Sequence, residues 1–123
     1  IFFILVLSSG MTQDETIPSQ IPAAIRSGNA AQLASHFNEL VELVILDKED
    51  VSSKAQAERI LKDFFSTHPP VKFTIKHQGG KTQSKYAIGQ LETGKGKYRV
   101  YFLLKWSEGK AFIHQLRIES ENG

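Results

Sequence analysis

The stretch "KYRVYFLLKW", Lys97 to Trp106, decides the fold. A strand sends alternate side chains to opposite faces. Tyr98, Val100, Phe102, Leu104 and Trp106 therefore share one face, and five apolar residues in alternation mark a strand lying on a core. Arg99, Tyr101, Leu103 and Lys105 share the other face, whose middle is apolar as well. Such a strand calls for a cover on both sides.

The neighbouring segments have the same period. Downstream, "SEGK" is a tight turn and "AFIHQLRIES" a further strand. Upstream, "VKFTIKH", the turn "QGGKTQS", "KYAIGQLET" and the turn "TGKGK" complete the series. Four strands joined by short turns predict an antiparallel meander. Unbroken alternation in the last strand puts Phe112, Leu116 and Ile118 on the core side. Tyr101, Leu103, Ala111 and Ile113 are then expected on the opposite, uncovered face, where a contiguous apolar patch would mark an interface.

Before Val71 the apolar spacing is helical. "TIPSQIPAAIRSGN" reads as a short helix capped by Ser19, with Pro22 in the first turn and Gly28 at the stop. Asn29 caps a second helix with the stripe Ala30, Leu33, Ala34 and Phe37. "ELVELVILDKED" reads as a strand ending at Asp47 and followed by a charged turn. Ser53 and Gln56 form an S-x-x-Q capping box. The helix behind them carries Ala57, Ile60, Leu61, Phe64 and Phe65 on one stripe, until His68-Pro69-Pro70 ends it. The expected class is α+β: three helices from the N-terminal half on a curved, mainly antiparallel sheet, in the order α-α-β-α-β-β-β-β.

The chain has 123 residues, with 41% hydrophobic and 23% charged, the composition of one ordinary domain. Fifteen basic against 13 acidic residues leave a net charge of +2, too small to argue for nucleic acid. There is no cysteine, which excludes disulfides, zinc–cysteine sites and thiol nucleophiles. Residues 1–10 open with the apolar run Ile1 to Leu7, followed by Ser8, Ser9 and Gly10. That order is expected of a truncated signal peptide cleaved before Met11. Residues 11–16 then form a flexible mature N-terminus, and 17–120 a single domain. The chain is expected to be exported to the periplasm or beyond, or to be cytoplasmic if Met11 is the true start. The run is shorter than the roughly 20 apolar residues that span a bilayer, and no stable membrane anchor is expected.

The paired helices "IPAAIRSGNAAQLASHF", the strand "ELVELVIL", the helix "KAQAERILKDFF" and the final hairpin "KYRVYFLLKWSEGKAFIHQLRIES" resemble the nuclear transport factor 2-like superfamily. Within it, the chain resembles a small secreted bacterial family of unknown function. The resemblance covers about Ile17 to Glu119. It implies a cystatin-like α+β cone and, often, dimerisation sheet to sheet. The superfamily holds isomerases and dehydratases as well as non-catalytic modules, so it implies fold more than function.

Candidate chemistry is sparse. Gly80-Lys81-Thr82 ends like a phosphate-binding loop, but Ile75 stands where its first glycine is required and a strand follows where a helix should. His36, His68, His77 and His114 lack the helical spacing of metal ligands; no metal or cofactor is expected. The lysines of the meander, with Tyr86, Tyr98 and Tyr101, have the makings of an aromatic-basic surface for single-stranded nucleic acid or an anionic polymer, but the lysines are read as guards of strand edges and no nucleic-acid partner is expected. Glu42 is the one carboxylate in mid-strand among apolar residues. With Tyr86, Tyr98, Trp106 and His114 it forms the expected ligand pocket. Two functions follow. One is a secreted, non-catalytic binding module, a homodimer through Tyr101, Leu103, Ala111 and Ile113 that holds a small apolar ligand in the cone or a protein partner. The other is a small acid–base enzyme of isomerase or dehydratase type, using Glu42 or His114 with a tyrosine.

Overall fold

The computed structural model describes residues 15–121; Ile1 to Leu7 and the cleavage region expected near Met11 lie outside them. Two helices open the domain, α1 (Gln20–Ser27) and α2 (Ala30–Ala34), followed by the hairpin β1 (Phe37–Ile45) and β2 (Lys48–Ser53). Helix α3 (Lys54–Thr67) leads into the meander β3 (Pro70–Lys81), β4 (Ser84–Thr93), β5 (Gly96–Ser107) and β6 (Lys110–Ser120). The class is α+β as expected, with one strand added to the expected order.

Short-range chemistry sets the helix ends. Gly28 takes a left-handed φ of 68°, and the next N–H, of Asn29, donates to the Ala24 carbonyl at 2.9 Å. The Asn29 side chain then accepts from the Gln32 N–H at 3.0 Å and starts α2. Ser53 Oγ accepts from the Gln56 N–H at 3.2 Å and starts α3. Caps of this kind are worth about 0.5–2 kcal/mol each.

The added strand is β2. "KEDVSS" carries no apolar alternation and reads as a loop, yet it pairs with β1 over six positions, from Leu40↔Ser53 to Ile45↔Lys48. Backbone pairing on the free edge of β1 decides it; of its six side chains only Ser52 is buried. β3 also runs further than its sequence suggests. It continues through Gly79-Gly80-Lys81, and the turn falls at Thr82 and Gln83.

The six strands form one sheet in the order β2-β1-β6-β5-β4-β3, with β1 parallel to β6 and the other neighbours antiparallel. Three helices cover one face. Against them β5 buries Tyr98, Val100, Phe102, Leu104 and Trp106, the alternation read from the sequence. Phe73 completes this layer by lying over Gly89, where a Cβ would sit 2.6 Å from the ring.

One irregularity overturns an expectation. Leu104 pairs with Ile113 and Leu103 pairs with Gln115, so His114 is an extra residue in β6 without a counterpart on β5. An inserted residue reverses the alternation on either side of it. Ile113, expected outside, is fully buried, and Ala111 packs on the core with it. Phe112, expected inside, pairs with Lys105 on the outer face and is half-buried. Leu116 and Ile118, beyond the bulge, are buried as expected.

Candidate functional site, the uncovered sheet face

The helices leave the outer face of the sheet open, and strand register arranges it in rows. One row runs Val51, Glu42, Gln115, Leu103, Tyr86, Gly79 from β2 to β3. The next runs Glu49, Val44, Arg117, Tyr101, Ile88, His77. Flanking rows add Arg99 beside Glu119, and Lys105 beside Phe112. The apolar members are large and open to water: Leu40 is 59% and Val51 58% exposed, and Val44, Ile88, Tyr101, Leu103 and Phe112 are half-buried.

Aromatic groups tie the β3–β5 side together. Tyr86 lies over Gly79, hydrogen-bonds His77 Nε2 through its hydroxyl at 2.8 Å, and stacks on Tyr101 with centroids 6.1 Å apart. Gly79 is needed for that approach, since a Cβ there would meet the Tyr86 hydroxyl at 2.8 Å. The β1–β2 side is acidic, with Glu42 and Glu49. A shallow groove of about 440 Å³ crosses it, lined by Glu42, Val44, Val51, Gln115 and Arg117 among others. Gln115 Nε2 donates weakly to Glu42 Oε1 at 3.5 Å. Arg117 and Arg99 both approach Glu119, at 3.5 and 4.0 Å.

The five residues expected to form one pocket are split between two faces. Glu42, Tyr86 and His114 belong to the outer face. Tyr98 and Trp106 are on the inner face, eight residues apart on β5 and hence about 26 Å from one another at strand rise. His114 does meet Glu42 electrostatically. Its imidazole is held below the ordinary value by burial and by the Lys105 charge, with Glu42 pulling weakly the other way. Acid–base catalysis needs such groups to converge where water is excluded, and here Glu42 is exposed on an open sheet face. The inside of the cone is occupied by Phe37, Phe73, Phe102, Leu91 and Leu104, all buried. Of the expected dimer residues, Tyr101 and Leu103 are on the outer face, whereas Ala111 and Ile113 are not.

Val44, Val51 and Ile88 carry no sequence signal for this face, and Phe112 was expected on the core side. Val51 follows the charged turn in a segment without apolar alternation, and Phe112 needs the bulge to turn outward. Among the described residues no cluster of histidine and carboxylate groups is fit to hold a metal ion. No described helix is long and apolar enough to cross a membrane.

Residues 18–119 match the model of a family described as a domain of unknown function, DUF4783. A protein of this family from Bacteroides ovatus superposes with a TM-score of 0.82 at 30% identity, covering 87% of this chain and 97% of its own. Another from Bacteroides uniformis gives 0.82 at 31%, covering 88% and 100%. A Nostoc punctiforme domain of unknown function with a cystatin-like fold gives 0.67 at 11%, covering 84% and 72%. No curated protein matches. The fold is the nuclear transport factor 2-like, cystatin-like cone.

Proposed function

Because the chain belongs to the DUF4783 family, whose description assigns no activity, we propose a function from its surface: an exported, non-catalytic interaction module that pairs with a second copy through the outer sheet face. The observation that supports this is the field of Val44, Val51, Ile88, Tyr101, Leu103 and Phe112 on a face that no helix among the described residues protects. Contiguous apolar surface of this kind marks interaction sites. Its charges favour a like partner. Glu42 and Glu49 lie on the β1–β2 half, while the β6–β3 half carries Lys97, Arg99, Lys105 and Arg117 against Glu92 and Glu119. A two-fold axis parallel to the central strands lays the acidic half of one copy over the basic half of the other. A two-fold interface requires that self-complementarity.

Sedimentation equilibrium tests the pairing. The wild type should behave as a dimer at micromolar concentration and Leu103→Glu as a folded monomer. A wild type that stays monomeric throughout refutes it. Export is tested separately, by fractionating cells and sequencing the N-terminus of the recovered protein: recovery from the cytosol with the run Ile1 to Leu7 retained refutes it.

A further inference from the structure

A second open region lies away from the outer face. A groove of about 690 Å³ runs between the β1–β2 hairpin and α3. Its floor is apolar, made by Leu43, Ile45, Ile60 and Phe64. His68 lies flat on Phe64 at 4.4 Å and extends that surface as an aromatic one. The rim is acidic. Asp47, Asp50 and Asp63 face a single lysine, Lys48, although the chain as a whole is positive. Among the described residues no ion pair engages any of these carboxylates.

Two features mark this groove. Helix α3 ends in it with its last carbonyls already bonded, that of Asp63 by the Ser66 and Thr67 hydroxyls and that of Phe64 by the Thr67 hydroxyl and the His68 N–H, and the Asp63 carboxylate lies about one turn from that end. Leu46, at the hairpin tip, holds a left-handed φ of 59° and is 37% exposed. A bulky aliphatic residue rarely adopts that backbone, and such outliers point toward function. A leucine in left-handed backbone and a carboxylate rim thus line one groove, the first apolar and the second anionic.

We propose that this groove binds an amphiphilic organic cation, an ammonium group carried on an alkyl or aryl body. The body covers the Ile45–Ile60–Phe64 floor and Leu46. The ammonium meets the carboxylate rim, Asp63 included. A metal ion does not fit, because the carboxylates do not converge as metal ligands would.

Decyltrimethylammonium, decanol and decanoate, each below its micellar concentration, are titrated into the isotopically labelled whole chain and followed by amide chemical shifts. The ammonium should shift Leu46, Asp63 and Thr67 and bind roughly tenfold or more tighter than decanoate, with decanol between them. Its affinity should fall severalfold between about 20 mM and about 300 mM salt. Asp63→Asn should weaken binding severalfold while raising Tm, because it relieves the helix end. Leu46→Gly should weaken binding without lowering Tm, because glycine accepts the backbone. Equal affinity for decanoate, shifts that spread outside the groove, or no binding at all would overturn the proposal. None of these results bears on the sedimentation experiment, which reads the opposite face.

Discussion

Ile113 and Phe112 are adjacent in sequence and carry opposite predictions, which makes them the sharpest test of the bulge at His114. Ile113 is fully buried. Ile113→Ala removes its outer methyl and methylene groups from the core and leaves a cavity, a loss of about 2–5 kcal/mol. Near Tm, each kcal/mol shifts the midpoint of a domain this size by about 4 °C, so a fall of about 8–20 °C is expected. Phe112→Ala acts on a half-buried ring on the outer face. At about 25 cal/mol per Å² it removes only part of a full ring's burial, about 1 kcal/mol or less. Urea unfolding of both variants, at a concentration too low for association, gives the two losses directly, and an unchanged m-value confirms the same folded state. A Phe112→Ala loss larger than that of Ile113→Ala would mean that β6 alternates without interruption, and the reasoning about the bulge would fail.

Four further outcomes are expected. Gly89→Ala should cost about 1–3 kcal/mol through overpacking, because its Cβ would meet Phe73 Cζ at 2.6 Å and the Thr74 backbone oxygen at 2.8 Å. Gly94→Ala, with nothing within 4 Å of its Cβ, should be neutral in the same melt. Ser52→Ala should leave stability unchanged or raise it by about 1 kcal/mol in urea unfolding, because the Ser52 hydroxyl is buried without a partner among the described residues. Stability should also fall below neutral pH. Burial, with Lys54 nearby, lowers His36, and burial, with Lys105 nearby, lowers His114. As pH drops through about 6.5, the ordinary value for histidine, the unfolded chain takes up protons before the folded one does, and stability is lost from there down to the lower folded values. The double variant His36→Gln, His114→Gln should flatten that slope in melts from pH 8 to pH 5 (about neutral to mildly acid); an unchanged slope would assign it to other groups.

Much of this architecture follows from chemistry acting over a few residues. Ser53, Asn29 and Gly28 end or start helices through bonds to groups three to five positions away, so their reach is visible in the sequence. The stripe Ala57, Leu61, Phe64, Phe65 and the five-residue alternation of β5 are equally local, because helix and strand periods dictate which residues share a face. These signals are sufficient for the class, the helix pair, α3 and the meander.

The features that depend on cross-strand register were out of reach. β2 forms because β1 offers it an edge, and its own residues carry no apolar pattern to announce it. The extra residue at His114 exists only relative to β5, so no reading of β6 by itself could reverse Phe112 and Ile113. That single insertion also took Ala111 and Ile113 off the face that Tyr101 and Leu103 share. Which side chains each strand could send to one face was written locally in the sequence. Where strands slip against one another, and so which faces meet, was decided by the tertiary structure, because register is set by hydrogen bonding and packing between segments far apart in the chain.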